Sequence, residues 1–133
     1  MAAIKNRTHL KNRIIQNLRR LTWSWQPIKD AEARAKVDKA TFECEKCGKY
    51  VYTGKSEKNF NLLIEKHCDK LLEMGIVYRD HIIPVVPIGT KTKDMSMDEI
   101  ILNMFCESAD DIQILCKVCN TKKTNEENEE RRK

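Results

Sequence analysis

Residues 111–124 read D-I-Q-I-L-C-K-V-C-N-T-K-K-T: a short apolar run, a C-x-x-C unit, then an uninterrupted polar stretch. Cys116 and Cys119 have a counterpart in Cys44 and Cys47, where F-E-C-E-K-C-G-K-Y-V-Y-T over 42–53 sets a second C-x-x-C unit between two aromatic, β-branched runs. Two-residue spacing lets both sulfurs of a pair turn toward one ion, and four thiolates complete the tetrahedral shell of zinc. Gly48, just after the first pair, permits the tight knuckle that such a site needs. Four sulfurs leave no open position, so the expected site is structural.

The same periodicity argument extends outward. Residues 42–53 predict two short strands bent around the knuckle, and Ile112–Leu115 leads into a polar helix that runs to the C-terminus. Phe60, Leu63, Ile64, Cys68, Leu71 and Leu72 recur at helical spacing and predict a helix over Glu57–Met74, closed by Gly75 as its C-cap. Ile76–Val86 is β-like and Met97–Phe105 helical. Toward the N-terminus, Leu10, Ile14, Leu18 and Leu21 form the apolar stripe of a basic helix within Ile4–Leu21, with the Trp23-Ser24-Trp25 pair as its anchor. A second helix follows over Ile28–Lys39, with Ser24 and Pro27 where a helix start is expected. Cys68 and Cys106 fall outside the metal pattern and are expected to serve as small buried hydrophobes. His67 reads as an ordinary surface histidine. The fold class is α+β.

A chain of 133 residues supports one domain with an appended element, and 41% hydrophobic content with only 6% aromatic leaves a thin apolar core. Metal ligation would offset that deficit. The longest strongly apolar stretch, Ile82–Ile88, is interrupted by Pro84 and Pro87, and no apolar segment follows the basic N-terminus. That predicts neither a membrane span nor a secretory signal. Six cysteines without an export signal then point to reduced thiols and a cytoplasmic location. Charge is uneven: residues 1–39 carry ten basic and three acidic side chains, net +7, whereas residues 40–133 carry fifteen and seventeen, net −2. A basic helical extension over 1–39 attached to a near-neutral body over 40–133 suggests a nucleic-acid partner.

Between the cysteine pairs lies Y-R-D-H-I-I-P over 78–84. An imidazole titrates near neutral pH and suits proton abstraction, so His81 is a candidate general base. Strand alternation turns Asp80 to the opposite face unless the backbone bends. Taken together, the order C-x-x-C, D-H-I, then I-Q-x-L-C-x-x-C-N-x-x-K-T resembles the HNH endonuclease family, and roughly residues 20–127 are similar to small phage-encoded HNH proteins.

The resemblance implies a zinc-stapled, treble-clef-like ββα-metal domain with a helical insertion near 57–74, acting as a metal-dependent endonuclease on DNA. It assigns His81 as the base, Asp80 and Asn120 as ligands of a catalytic Mg2+ or Mn2+, and Cys44, Cys47, Cys116 and Cys119 as ligands of a structural Zn2+. The family's middle asparagine falls on Asp111, a departure, since aspartate accepts a hydrogen bond but cannot donate one. That residue chiefly holds the loop bearing the base. Arg79, Lys122 and Lys123, with Arg19 and Arg20 of the basic helix, are expected phosphate contacts. The acidic run Glu126, Glu127, Glu129 and Glu130 should point away from DNA. The resemblance also implies a phage-encoded protein in the cytoplasm of a bacterial host, linked to DNA packaging beside a phage terminase; the alternative, which the Asp111 departure supports, is a catalytically weak or inactive zinc-stapled DNA-binding or assembly module.

Overall fold

The computed structural model describes residues 7–133. The chain is mixed α+β: α1 (Arg7–Leu21), α2 (Gln26–Ala35), β1 (Lys36–Asp38), β2 (Thr41–Glu43), β3 (Tyr50–Tyr52), α3 (Glu57–Lys66), β4 (Leu72–Met74), β5 (Tyr78–His81), α4 (Met97–Met104), β6 (Ile112–Leu115) and α5 (Lys117–Arg132). Four strands form one sheet in the order β1-β2-β3-β4, antiparallel except for the parallel β3–β4 pair, and β5 pairs with β6 antiparallel in a second. Among the described residues, no helix is long and apolar enough to cross a membrane.

Several boundaries differ from the sequence expectation, each for a tertiary reason. The helix expected over Glu57–Met74 stops at Lys66, because Leu72–Met74 joins Tyr50–Tyr52 as a parallel strand. Gly75 is therefore not a helix cap; its N–H continues the ladder to the Tyr52 carbonyl at 3.0 Å. Strand pairing overrides the apolar spacing here. The second helix ends at Ala35 rather than Lys39, since Lys36–Asp38 pairs with β2. Of Ile76–Val86 only Tyr78–His81 is strand. His67 is not a free surface residue: its Nε2 lies 3.0 Å from Asp38 Oδ2, and its ring meets Tyr50 edge-on. Cys106 is buried as expected, whereas Cys68 is exposed in the turn after α3.

The packing face of α1 is also rotated from the expected stripe. Ile15 is buried and Leu18 partly so against Met95, Ile100 and Met104, while Leu10, Ile14 and Leu21 face outward. Lys11 fixes this rotation by donating to the carbonyls of Thr92 and Met95 at 3.0 and 2.6 Å. Of the tryptophan pair only Trp25 anchors: its indole N–H donates to the Cys106 carbonyl at 2.6 Å and its ring meets Phe105 edge-on. Trp23 is 63% exposed.

One core joins the N-terminal helices to the second sheet. Ile28, Ala31 and Ala35, one face of α2, pack on Ile112 and Ile114 of β6 together with Cys106. A polar clamp reinforces it. Glu45, inside the knuckle, accepts the Ile114 N–H at 2.8 Å and both Nε and Nη2 of Arg34 at 2.9 and 2.8 Å. Arg34 also donates to the carbonyls of Ala109 and Ile112. Burial works to raise the Glu45 pKa, but the bonds from Arg34 and Ile114 outweigh it and hold the carboxyl below its usual value.

Glu45→Ala should therefore destabilise the zinc-loaded protein at neutral pH by about 1–3 kcal/mol, read by urea denaturation, because the buried Ile114 N–H loses its acceptor. Since the folded pKa is the lower one, the Glu45 contribution is present above the unfolded value of about 4.3 and lost as pH falls through the folded value.

Candidate functional site

The Cys44–Gly48 knuckle turns between β2 and β3, with the Gly48 N–H bonded to the Cys44 carbonyl at 2.9 Å and Gly48 at φ 80°. A side chain rarely adopts that φ, which explains glycine there. The second pair sits where β6 ends and α5 begins, with Cys116 as the residue capping the helix. The four sulfurs of Cys44, Cys47, Cys116 and Cys119 lie within 4.8 Å of one another. The Cys47–Cys116 separation is 3.8 Å. A tetrahedron with zinc–sulfur bonds of about 2.3 Å has edges of about 3.8 Å, so the cluster fits a structural metal such as zinc.

The surroundings of the sulfurs are unequal. Burial works to raise the Cys44 thiol, but backbone N–H groups of Cys47, Cys116 and Lys46 outweigh it and hold the thiol down at about 7. Burial and the neighbouring sulfurs push Cys119 up to about 12. Deprotonating all four sulfurs at this spacing would require a cation between them.

The strand pair next to this cluster carries the other candidate residues. Its register sets Asp80 opposite Gln113 and His81 opposite Ile112, so strand alternation sorts the side chains onto two faces. Arg79 and His81 point to the α2 and α4 side. Arg79 is ion-paired with Glu32 of α2, and His81 Nε2 lies 2.8 Å from the Met104 carbonyl. A carbonyl only accepts, so Nε2 carries a proton, which in the neutral ring leaves the lone pair on Nδ1. His81 opens onto a cleft of about 390 Å3 lined also by Pro84, Asn103, Cys106, Glu107 and Asp111.

Asp80 takes the opposite face. Its Oδ2 accepts from Lys123 Nζ at 2.6 Å and from Gln113 Nε2 at 2.8 Å. Lys123 donates as well to the carbonyls of His81 and Ile82, at 2.8 and 3.2 Å, and pairs with Glu127 at 2.9 Å. Burial works against this ammonium, but Asp80 and Glu127 outweigh it and raise its pKa above the usual lysine value. Asn120, one helical turn before Lys123, is partly buried; its backbone N–H donates to the Cys116 carbonyl at 2.9 Å, and among the described residues its side-chain carboxamide has no hydrogen-bond partner.

The expected site residues thus separate into two groups. His81 and Asp111 share the cleft; Asp80 and Lys123 lie behind the strand on the α5 side, and Asn120 shares Lys123's face of α5 by helical spacing. Asp111 is exposed, and its contribution runs through the main chain: its carbonyl accepts the Ile82 N–H at 3.0 Å, fixing the chain as it leaves His81. Arg79 and Lys123 are engaged in ion pairs, whereas Lys122, Arg19 and Arg20 are exposed. Glu127 turns inward to Lys123, while Glu126, Glu129 and Glu130 are exposed. The Met104 carbonyl had no signal in the sequence, because it acts through backbone at a distance in the chain. Gln113 became visible only through the strand register.

Purified protein should contain one zinc per chain by elemental analysis, and a strong chelator should abolish its cooperative thermal transition. Cys47→Ser, which weakens one ligand, should lower zinc retention at least tenfold against a competing chelator. Comparison of the chain with protein-family models, curated proteins and solved structures finds no match to any of them.

Proposed function

We propose that this chain is an HNH-type, metal-dependent endonuclease that hydrolyses phosphodiester bonds in DNA. The observation that carries this reading is the continuous unit of β5, β6 and α5, in which an Asp-His pair at a strand end meets a helix rooted in a four-sulfur cluster. His81 supports it most directly. With Nε2–H committed to the Met104 carbonyl, the ring is held at the mouth of an open cleft with Nδ1 free to take a proton from water. The water oxygen then attacks phosphorus in line, and the bond to the 3′ oxygen breaks, leaving a 5′-phosphate and a 3′-hydroxyl that acquires its proton from solvent.

A hard divalent cation would be held by Asp80 and Asn120. One carboxylate oxygen and one amide oxygen suit magnesium or manganese, which bind few protein groups and keep several waters. Such an ion would supply charge neutralisation for the phosphate and the departing oxygen. Lys123 competes with it for the Asp80 carboxylate in the present arrangement. The backbone role of Asp111 supports activity despite the departure from asparagine, since the main chain supplies the hold on the strand end.

Substrate binding is read from the N-terminal helix. Arg13, Arg19 and Arg20 of α1 are exposed and free to meet phosphates, while the pairing of Arg79 with Glu32 gives that residue a structural duty instead. Contacts of this kind position the duplex without reading its sequence. One observation favours a second reading: with Asp80 already paired to Lys123, a zinc-stapled module could hold DNA and never cut it.

Zinc-loaded protein with magnesium or manganese should nick plasmid DNA, and His81→Ala should lower the rate at least a hundredfold while zinc content and thermal stability stay unchanged. A wild-type protein that binds plasmid without nicking it selects the second reading. Duplex binding, measured by anisotropy, should weaken steeply between 50 and 200 mM salt, on the order of tenfold or more. Replacing Arg19 and Arg20 together by alanine should flatten that salt dependence by about two phosphate contacts.

A further inference from the structure

Four oxygens surround the Lys123 ammonium: Asp80 Oδ2 at 2.6 Å, the His81 carbonyl at 2.8 Å, Glu127 Oε1 at 2.9 Å and the Ile82 carbonyl at 3.2 Å. An ammonium has three protons to donate, so this surround offers more acceptors than the group can satisfy. Two of the four oxygens carry charge. The site is one for a hard cation, and its occupant is a side chain of the protein itself.

We propose that Lys123 sets the divalent-cation affinity of Asp80 by masking that carboxylate with its own ammonium, and that a nucleic-acid phosphate is the group that draws the ammonium away. The inference rests on the endonuclease reading above and adds to it a rule for when the cation binds. A divalent ion approaching Asp80 meets a carboxylate already bonded to an ammonium, which repels the ion and must be displaced before it can bind, although Glu127 leaves the cluster as a whole at net −1. The lysine is able to leave: its side chain is 23% exposed, it sits on a flexible stem, and Lys122 next to it is open to solvent. A phosphate arriving at the Lys122–Lys123 turn of α5, ahead of the exposed Glu126, Glu129 and Glu130, offers Lys123 an anionic oxygen in place of the one it gives up. Asp80 is then free to bind a cation, with Gln113 Nε2 still orienting it. The coupling is reciprocal, so the cation must also tighten the protein's hold on the phosphate.

The masking role predicts an effect that a merely structural lysine would not produce. Manganese binding is measured by electron paramagnetic resonance on zinc-loaded, full-length protein in a His81→Ala background, so that added DNA is not consumed. With the ion alone, Lys123→Met should bind manganese about tenfold more tightly than the lysine-containing protein, within the usual range of such couplings. Adding Asp80→Asn should remove that gain. A short duplex should raise manganese affinity severalfold more in the lysine-containing protein than in the Lys123→Met protein.

Equal manganese affinity with and without the lysine overturns the proposal even if the wild-type protein cuts plasmid. A gain that survives Asp80→Asn overturns it too. A tenfold gain in a protein that never cuts leaves the masking intact and removes the endonuclease reading instead. Should Lys123→Met lose zinc or fold poorly, Lys123→Gln takes its place in the ion-only comparison. The duplex experiment on the lysine-containing protein needs neither variant, and manganese affinity unmoved by DNA overturns the coupling.

Discussion

The four-sulfur cluster is the constraint on which the arrangement rests. One pair of sulfurs comes from the turn between β2 and β3, the other from the junction of β6 and α5, so a single ion held by all four would fix the direction in which α5 leaves the sheet. Everything α5 contributes follows from that direction. Asn120 is one turn from Cys116, Lys123 reaches back to the end of β5, and Arg131 reaches the Val86 carbonyl on the chain beyond it. A helix this polar has no apolar face able to hold it in place, and among the described residues none of its side chains is buried. Coordination of a metal by the cluster at its root would stand in for hydrophobic burial.

Alternation along β5 then divides the chemistry. The side chains of Arg79 and His81 go to one face and that of Asp80 to the other, so imidazole and carboxylate are held by different helices, α4 through the Met104 carbonyl and α5 through Lys123. The two can be tuned independently. The Glu45–Arg34 clamp links this unit to the N-terminal helices, because one carboxylate inside the metal knuckle holds both α2 and the backbone of β6. The exposed arginines on α1 are thereby positioned relative to the cleft through α2 and α4, without a covalent or metal link of their own.

Much of this was legible in the residues. The spacing of Cys44, Cys47, Cys116 and Cys119 announced a closed cluster because thiolate chemistry and tetrahedral geometry leave few other uses for that pattern. Helices α4 and α5 and the hairpin around the knuckle followed from periodicity and turn residues. What failed was decided by partners far along the chain. Leu71 and Leu72 have helical spacing with Phe60 and Leu63, yet an open edge at Tyr50–Tyr52 recruits Leu72 into a strand. Ile14 sits on the apolar stripe, yet Lys11 rotates the helix so that Ile15 is buried instead. The engagement of Asp80 by Lys123 lies between these cases: both residues were singled out, but their contact depends on the angle of α5, which no local pattern encodes.

The bond between the Ile82 N–H and the Asp111 carbonyl has a consequence for how this chain can vary. A position that works through its peptide group places almost no demand on the atoms beyond Cβ, so many residue types at 111 would keep the exit from His81 in register. The restriction moves to its neighbour. Residue 82 must keep an amide hydrogen, and proline, otherwise frequent in the segment that follows, is the one residue type barred from it.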